Sequence, residues 1–235
     1  MSWNREEREE NQERVQREIA KRRARGESLT PLAAPKGSKK LCQTFWAQAW
    51  CRHLERYSHY EARLPAGRSY LRNGQVLDLV IEPGTLSAVV AGEHLEDTLI
   101  HIRPLDAAHW QELVQAAQGQ VNSLLDLLTG NLGDGLLKIL TEPETGLFPQ
   151  PKEIRFDCSC PDHADLCKHS AAVLYGVAVL LDTQPDLLFR LRGVNQADLL
   201  PAAGAASAET LSSNSGAGDL QGTDLSALFG IDLAE

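Results

Sequence analysis

Five cysteines and one methionine in 235 residues, with aromatics at 6%, leave several protein classes behind at once. Small secreted scaffolds are far denser in cysteine, so a disulfide framework is not expected. No Cys-x-x-Cys pair occurs, which removes the thioredoxin-like redox motif. The longest apolar run, residues 171–181, falls well short of the roughly 20 residues that span a bilayer. The opening MSWNREEREE has no apolar core of a signal peptide. A cytoplasmic protein in a reducing setting, without membrane contact, is therefore expected. There is no phosphate-binding glycine loop, no HExxH helix, and no Ser/His/Asp ordering. Acidic residues are scattered with no spacing that forces a general acid and base together, so neither enzymatic activity nor a small-molecule substrate is expected.

Positive charge is also scarce, and it is unevenly spread. The net charge is −9, yet residues 1–40 carry eleven Lys and Arg against seven Glu, while the remainder carries twelve against twenty-five acidic residues. Much of the affinity for duplex DNA comes from counter-ion release, so a body at −13 argues against strong autonomous DNA binding.

What the chain does have is concentrated in FDCSCPDHADLCKHSAAVLYG, residues 156–176. Cys158, Cys160, Cys167 and His169 form a Cys-x-Cys-x6-Cys-x-His set within twelve residues. Thiolates and imidazole in a closed set of four are what a structural zinc site uses, whereas a catalytic zinc keeps a position for water. One structural Zn²⁺ is the expectation; another metal or a cluster is the alternative. Tetrahedral ligation needs sulfurs about 3.8 Å apart, closer than i and i+2 on a flat strand. A bend at 158–160 is therefore expected, with Pro161 leading out of it. Cys167 should sit just before a helix over 170–182, where the helix N-terminus and Lys168 favour its thiolate. His163, in the intervening loop, is the one other candidate ligand and reads more simply as a solvated histidine. Cys42 and Cys51 read as free thiols acting as small buried hydrophobes.

The same stretch resembles the SWIM zinc finger, Cys-x-Cys-xn-Cys-x-His, at all four ligand positions. Leu147-Phe148-Pro149 before it, Asp157 to Asp162 within it, and Leu191-Arg192-Gly193 after it resemble the bacterial branch, as do Arg68, Tyr70 and Gly74 upstream. The likeness extends loosely over residues 45–200. It implies a structural zinc module that binds nucleic acid or protein, in bacteria often beside a Snf-type DNA translocase.

Along the chain, residues 3–27 are dense in Arg and Glu, with Val15 and Ile19 as the only hint of an apolar stripe. A disordered charged tail is the plainer reading. A solvated helix held by Glu13/Arg17 and Glu18/Arg22, or a basic arm led by Lys21, Arg22, Arg23 and Arg25, is the other. After a Pro/Gly-containing linker, Trp46, Trp50, Leu54 and Tyr57 fall on one helix face and read as core. Strands are expected at 69–72, 75–81, 85–91 and 95–103, the first two joined by a type I′ turn at Asn73-Gly74. Asp106 should cap a helix to 118, and further helices are expected at 121–128, 132–140 and 186–191. The fold class is thus α+β: a small antiparallel β-meander with helices and a zinc-knuckle/helix module, between mobile terminal segments. The units are an arm and linker (1–40), a helix and meander (41–145), the finger (146–201), a flexible linker (202–222) and a docking motif (223–235).

Two surfaces are candidates for partners. Arg52, Arg56, Arg63, Arg68 and Arg72 oppose only Glu55 and Glu61 locally, with Tyr57, Tyr60 and Tyr70 interleaved. Such a set suits nucleic acid or an acidic partner, and equally ordinary helix-surface pairs. In the tail, Thr223 can cap a short helix with Leu225, Leu228 and Phe229 on one face and Ile231 folding back behind Gly230. That helix could dock on a partner groove, dock on its own domain, or stay disordered. Charge favours a protein-interaction adaptor for a nucleic-acid machine, the partner implied by the resemblance being a Snf-type translocase ATPase. Direct DNA or RNA binding through the Arg52–Arg72 surface and the zinc finger is the alternative.

Overall fold

The computed structural model describes residues 5–32, 34, 40–117, 134–162 and 164–199. The expected helix at 121–128, the tail residues Leu225, Leu228, Phe229 and Ile231, and His163 lie outside them.

The α+β expectation holds. Strands β1 (Val76–Glu82), β2 (Thr85–Ala91), β3 (Leu95–Ile102) and β4 (Ile154–Cys158) form one antiparallel sheet in the order β1-β2-β3-β4. The first three are a meander. Pro83-Gly84 turns β1 into β2, with Glu82 opposite Thr85. Alternation in TLSAVVA buries Leu86, Ala88 and Val90 on one face, as a sheet covered on one side requires.

The helices are α1 (Arg5–Ala24), α2 (Phe45–Glu55), α3 (Leu64–Arg72), α4 (Ala107–Ala116), α5 (Asp134–Leu140), α6 (Lys168–Leu181) and α7 (Leu187–Arg192), of which α6 and α7 pack on the sheet. The hub is α6, which packs on all four strands and on α2 and α3. Residues 169–178 are buried without a break, so this helix is apolar all round and can exist only in the interior. Asp182 caps its far end and accepts the backbone N–H groups of Gln43 and Thr44 and the Thr44 hydroxyl, at 2.8–3.0 Å. Trp46, Trp50 and Leu54 are core as expected, and the Trp50 indole donates to the Leu174 carbonyl at 2.8 Å. Gly67 sits where α3 meets α6: a Cβ there would come within 2.5 Å of Ala171 Cβ and 2.8 Å of Ala172 N.

One expected strand is a helix. Residues 69–72 belong to α3, with Pro65 in its first turn, where a missing N–H costs nothing. Leu64, Gly67 and Leu71 form its buried face. Asn73-Gly74 closes this helix instead of a hairpin: Gly74 has φ +68°, its N–H donates to Leu71 O, and Gln75 N–H donates to Tyr70 O, both at 3.0 Å. That is a Schellman closure, which asks for the same left-handed glycine as a type I′ turn.

The charged arm is α1, and the two apolar residues noted in it do the docking. Val15 and Ile19 pack with Leu29, Leu77 and Leu95 as a small second core, apart from the main one. Arg22 adds a two-pronged pair with Asp97 at 2.6 and 2.8 Å. Residues 30–32 then run beside β1, with Leu32 N–H on Val76 O and Asp78 N–H on Thr30 O. Asp78 itself, φ +51°, is the bulge that lets β1 take this neighbour. No helix among the described residues is long and apolar enough to cross a membrane.

Candidate metal centre

The end of β4 and the start of α6 converge on Cys158, Cys160, Cys167 and His169. Pairing of β4 with β3 sets Cys158 opposite Thr98 at the sheet edge. The chain bends immediately after, so Cys160 turns back to the same side, where Ser159 N–H is held by Asp97 O at 3.0 Å. On the other side, Cys167 is the N-cap of α6, its sulfur accepting Ser170 N–H at 3.3 Å. His169 lies in the first turn, with Nδ1 3.8 Å from Cys158 Sγ. The four ligand atoms all lie within 4.8 Å of one another, and all but Cys158 are buried. They could hold a metal ion.

The surroundings favour deprotonated sulfur at Cys167. Hydrogen bonds to its sulfur, foremost from the Cys158 thiol and then from His169 and Ser170, pull the Cys167 thiol far below the ordinary thiol range, against burial. The same Cys158–Cys167 bond, with burial, pushes the Cys158 thiol up, while Thr98 and the Cys160 amide work to lower it. Burial raises Cys160, opposed by the Asp162 amide. Cys167 is thus the thiolate of the set, and a bound cation would displace the protons held on Cys158 and Cys160. Thr98 Oγ1 at 3.4 Å from Cys158 Sγ, and Ser170 Oγ at 3.3 Å from Cys167 Sγ, complete a ring of donors around the thiols.

Beyond the contacts of Nδ1 with the sulfurs, His169 is held by packing. The Tyr70 ring meets it edge-on at 5.4 Å, and its buried Nε2 has no hydrogen-bond partner. That nitrogen presses on Gly92: a Cβ at position 92 would stand 2.9 Å from Nε2. Thr98 and Gly92 carry no local signal in the sequence, because both reach the centre through strand pairing. Ser170 does carry one, as the residue three after an N-cap.

No family model matches the sequence, and no solved structure matches it. A Mycobacterium tuberculosis (strain ATCC 25618 / H37Rv) protein, Uncharacterized protein Rv2102, is 31% identical over 172 residues, which make up 72% of this chain and 62% of that protein. The chain therefore matches under two thirds of its relative's length.

The five arginines of the other candidate surface are divided between uses. Arg63 pairs with Asp162 of the ligand loop at 3.2 Å. Arg68 pairs with Glu55, and donates to the Tyr175 hydroxyl at 3.1 Å while lying over that ring, so it joins α2, α3 and α6. Arg52 lies 5.8 Å from the Phe45 ring centroid, and Arg56 caps α2; both are exposed, as is Arg72 at the end of α3. The interleaved tyrosines turn inward. Tyr60 is buried against Phe156, Tyr57 bonds Gln150 Oε1 at 3.1 Å, and Tyr70 backs His169.

Proposed function

We propose that this chain is a non-enzymatic SWIM-type zinc protein that works as an adaptor for a nucleic-acid machine, the expected partner being a Snf-type translocase ATPase. The observation that carries the first half is the closed donor set. Three sulfurs and one imidazole nitrogen already stand within 4.8 Å of one another, against an ideal tetrahedral edge of about 3.8 Å for zinc. Only a small contraction separates this from ligation, and four protein ligands leave no position for a substrate or water. When bound, the ion would act as a structural cross-link. Cys158 and Cys160 tie in the end of β4, and Cys167 and His169 the first turn of the hub helix.

Charge and side-chain use support an adaptor over direct phosphate binding. Arg63 and Arg68 are already engaged by carboxylates, and of the tyrosines that would stack on bases Tyr60 is buried while Tyr57 and Tyr70 pack half-buried against the core. Residues 152–193 carry five basic and six acidic side chains, and three thiolates with one Zn²⁺ add a further negative charge. A finger at −2 repels a phosphate backbone. The test is recovery of the tagged protein from its native host, with and without nuclease. A translocase ATPase retained after nuclease treatment supports the adaptor. Loss of every partner on nuclease treatment, with nucleic acid retained before it, supports direct binding through the Arg52–Arg72 surface and the finger instead.

A further inference from the structure

The two cysteines outside the metal centre are not scattered. Cys42 lies in the segment that enters α2 and Cys51 in that helix's second turn, and their sulfurs are 3.8 Å apart. Cys42 is buried and Cys51 half-buried. A disulfide needs sulfurs at about 2.05 Å, so side-chain rotation has to close less than about 2 Å. The segment that carries Cys42 is well anchored. Thr44 caps α2, and Asp182 holds Gln43 and Thr44 against the end of the hub helix with contacts of 2.8–3.0 Å. The pair is also polarised: a hydrogen bond with Cys51 lowers the Cys42 thiol against burial and the Asp182 charge, with a smaller favourable contribution from Arg52.

We propose that Cys42 and Cys51 form a second thiol centre, a dithiol that peroxides oxidise reversibly to an intramolecular disulfide, separate from the metal ligands. The Cys42 thiol gives up its proton and its thiolate attacks one peroxide oxygen; the O–O bond breaks, Cys42 becomes a sulfenic acid, and the departing hydroxide takes up that proton and leaves as water. The Cys51 sulfur then attacks the sulfenic sulfur. The S–O bond breaks and the hydroxide leaves as water with the Cys51 proton. Two thiols and one hydrogen peroxide become one disulfide and two waters. A thiol reductant reverses the change. The product would staple the entry of α2 to its second turn, beside the Asp182 clamp on the hub helix.

Trypsin makes the test direct, because Lys40 and Arg52 bracket both cysteines in a single peptide, residues 41–52. The full chain, loaded with zinc so that the ligand thiols are bound, is treated with limiting hydrogen peroxide, quenched with iodoacetamide and digested. The expected result is a 41–52 peptide that is unalkylated and lighter by two hydrogens, about 2 Da, and that dithiothreitol restores. It should form at least about tenfold faster in the folded protein than in the same chain in denaturant, since folding holds the sulfurs together. Equal or slower formation in the folded protein would overturn the proposal, as would a product that dithiothreitol does not reverse. Cys51→Ser removes the second sulfur while leaving the core nearly unchanged in volume. With folding checked by circular dichroism and zinc content, it should accumulate a Cys42 sulfenic acid that dimedone captures. Dimedone capture no greater than in wild type would also overturn it.

Discussion

Replacing Gly67 by alanine places a methyl group where α3 and α6 touch, and two opposing terms decide the outcome. Alanine is the better helix former by about 1 kcal/mol, so at an open helical position this change stabilises. Here the new carbon would stand 2.5 Å from Ala171 Cβ, 2.7 Å from Ala171 C and 2.8 Å from Ala172 N. Carbon contacts prefer about 3.5–4.0 Å, so the shortfall is about an ångström, and two of the three obstacles are main-chain atoms that cannot rotate away. Overpacking of this kind costs about 1–3 kcal/mol, and rigid backbone puts it at the upper end. The net is about 1–2 kcal/mol of destabilisation, or a melting temperature lower by about 3–6 °C for a chain of this size. Thermal denaturation of the metal-loaded protein measures it, with exposed Ser69→Ala on the same helix as the control expected to move little. An unchanged or raised melting temperature for Gly67→Ala would refute the reasoning, because propensity would then have outweighed the contact.

Gly92→Ala should weaken metal binding about tenfold in competition with a chromophoric chelator, since the added carbon crowds the His169 ring; equal affinity would mean that this ring is not held as described. Glu153→Gln removes the carboxylate 3.1 Å from the Arg192 guanidinium, whose side chain is only 1% exposed, and should cost about 3 kcal/mol in urea denaturation; a loss under about 1 kcal/mol would contradict a buried pair. His53 is buried, with Nε2 2.9 Å from the Pro149 carbonyl oxygen, and burial depresses its pKa below the ordinary 6.5. The unfolded chain then binds a proton that the folded chain refuses. Wild type should therefore lose stability as pH falls below about 6.5, by up to about 1.4 kcal/mol per pH unit until the folded pKa is reached. His53→Gln should lack that slope, and identical slopes would remove the assignment.

The candidate metal centre was legible because its ligands are local: a twelve-residue window contains all four, and the divergence of i and i+2 side chains on a helix places Cys167 before its first turn, although α6 begins at Lys168 and not at 170. The meander was legible from alternation and the Pro83-Gly84 turn. Misreading α3 has a specific cause. Asn73-Gly74 satisfies a helix closure and a hairpin turn equally well, and only Leu64, Gly67 and Leu71 meeting α6 separates them. β4 was missed for a related reason, since IRFDC is a strand only because β3 offers it an edge. α1 shows the limit of composition: two apolar residues in a charged helix suffice to dock it once Leu77, Leu95 and Asp97 present a matching face. Thr98, Gly92 and the Cys42–Cys51 contact are likewise products of tertiary structure.

The central claim is that Cys158, Cys160, Cys167 and His169 hold one structural zinc ion. Elemental analysis of protein purified without chelator, in parallel with Cys158→Ser, tests it most directly. The account predicts about one zinc per wild-type chain, a marked loss in the variant, and a lower melting temperature when wild type is stripped of metal at neutral pH. Wild-type protein that is folded and free of stoichiometric metal, with a melting temperature indifferent to added zinc, would contradict it.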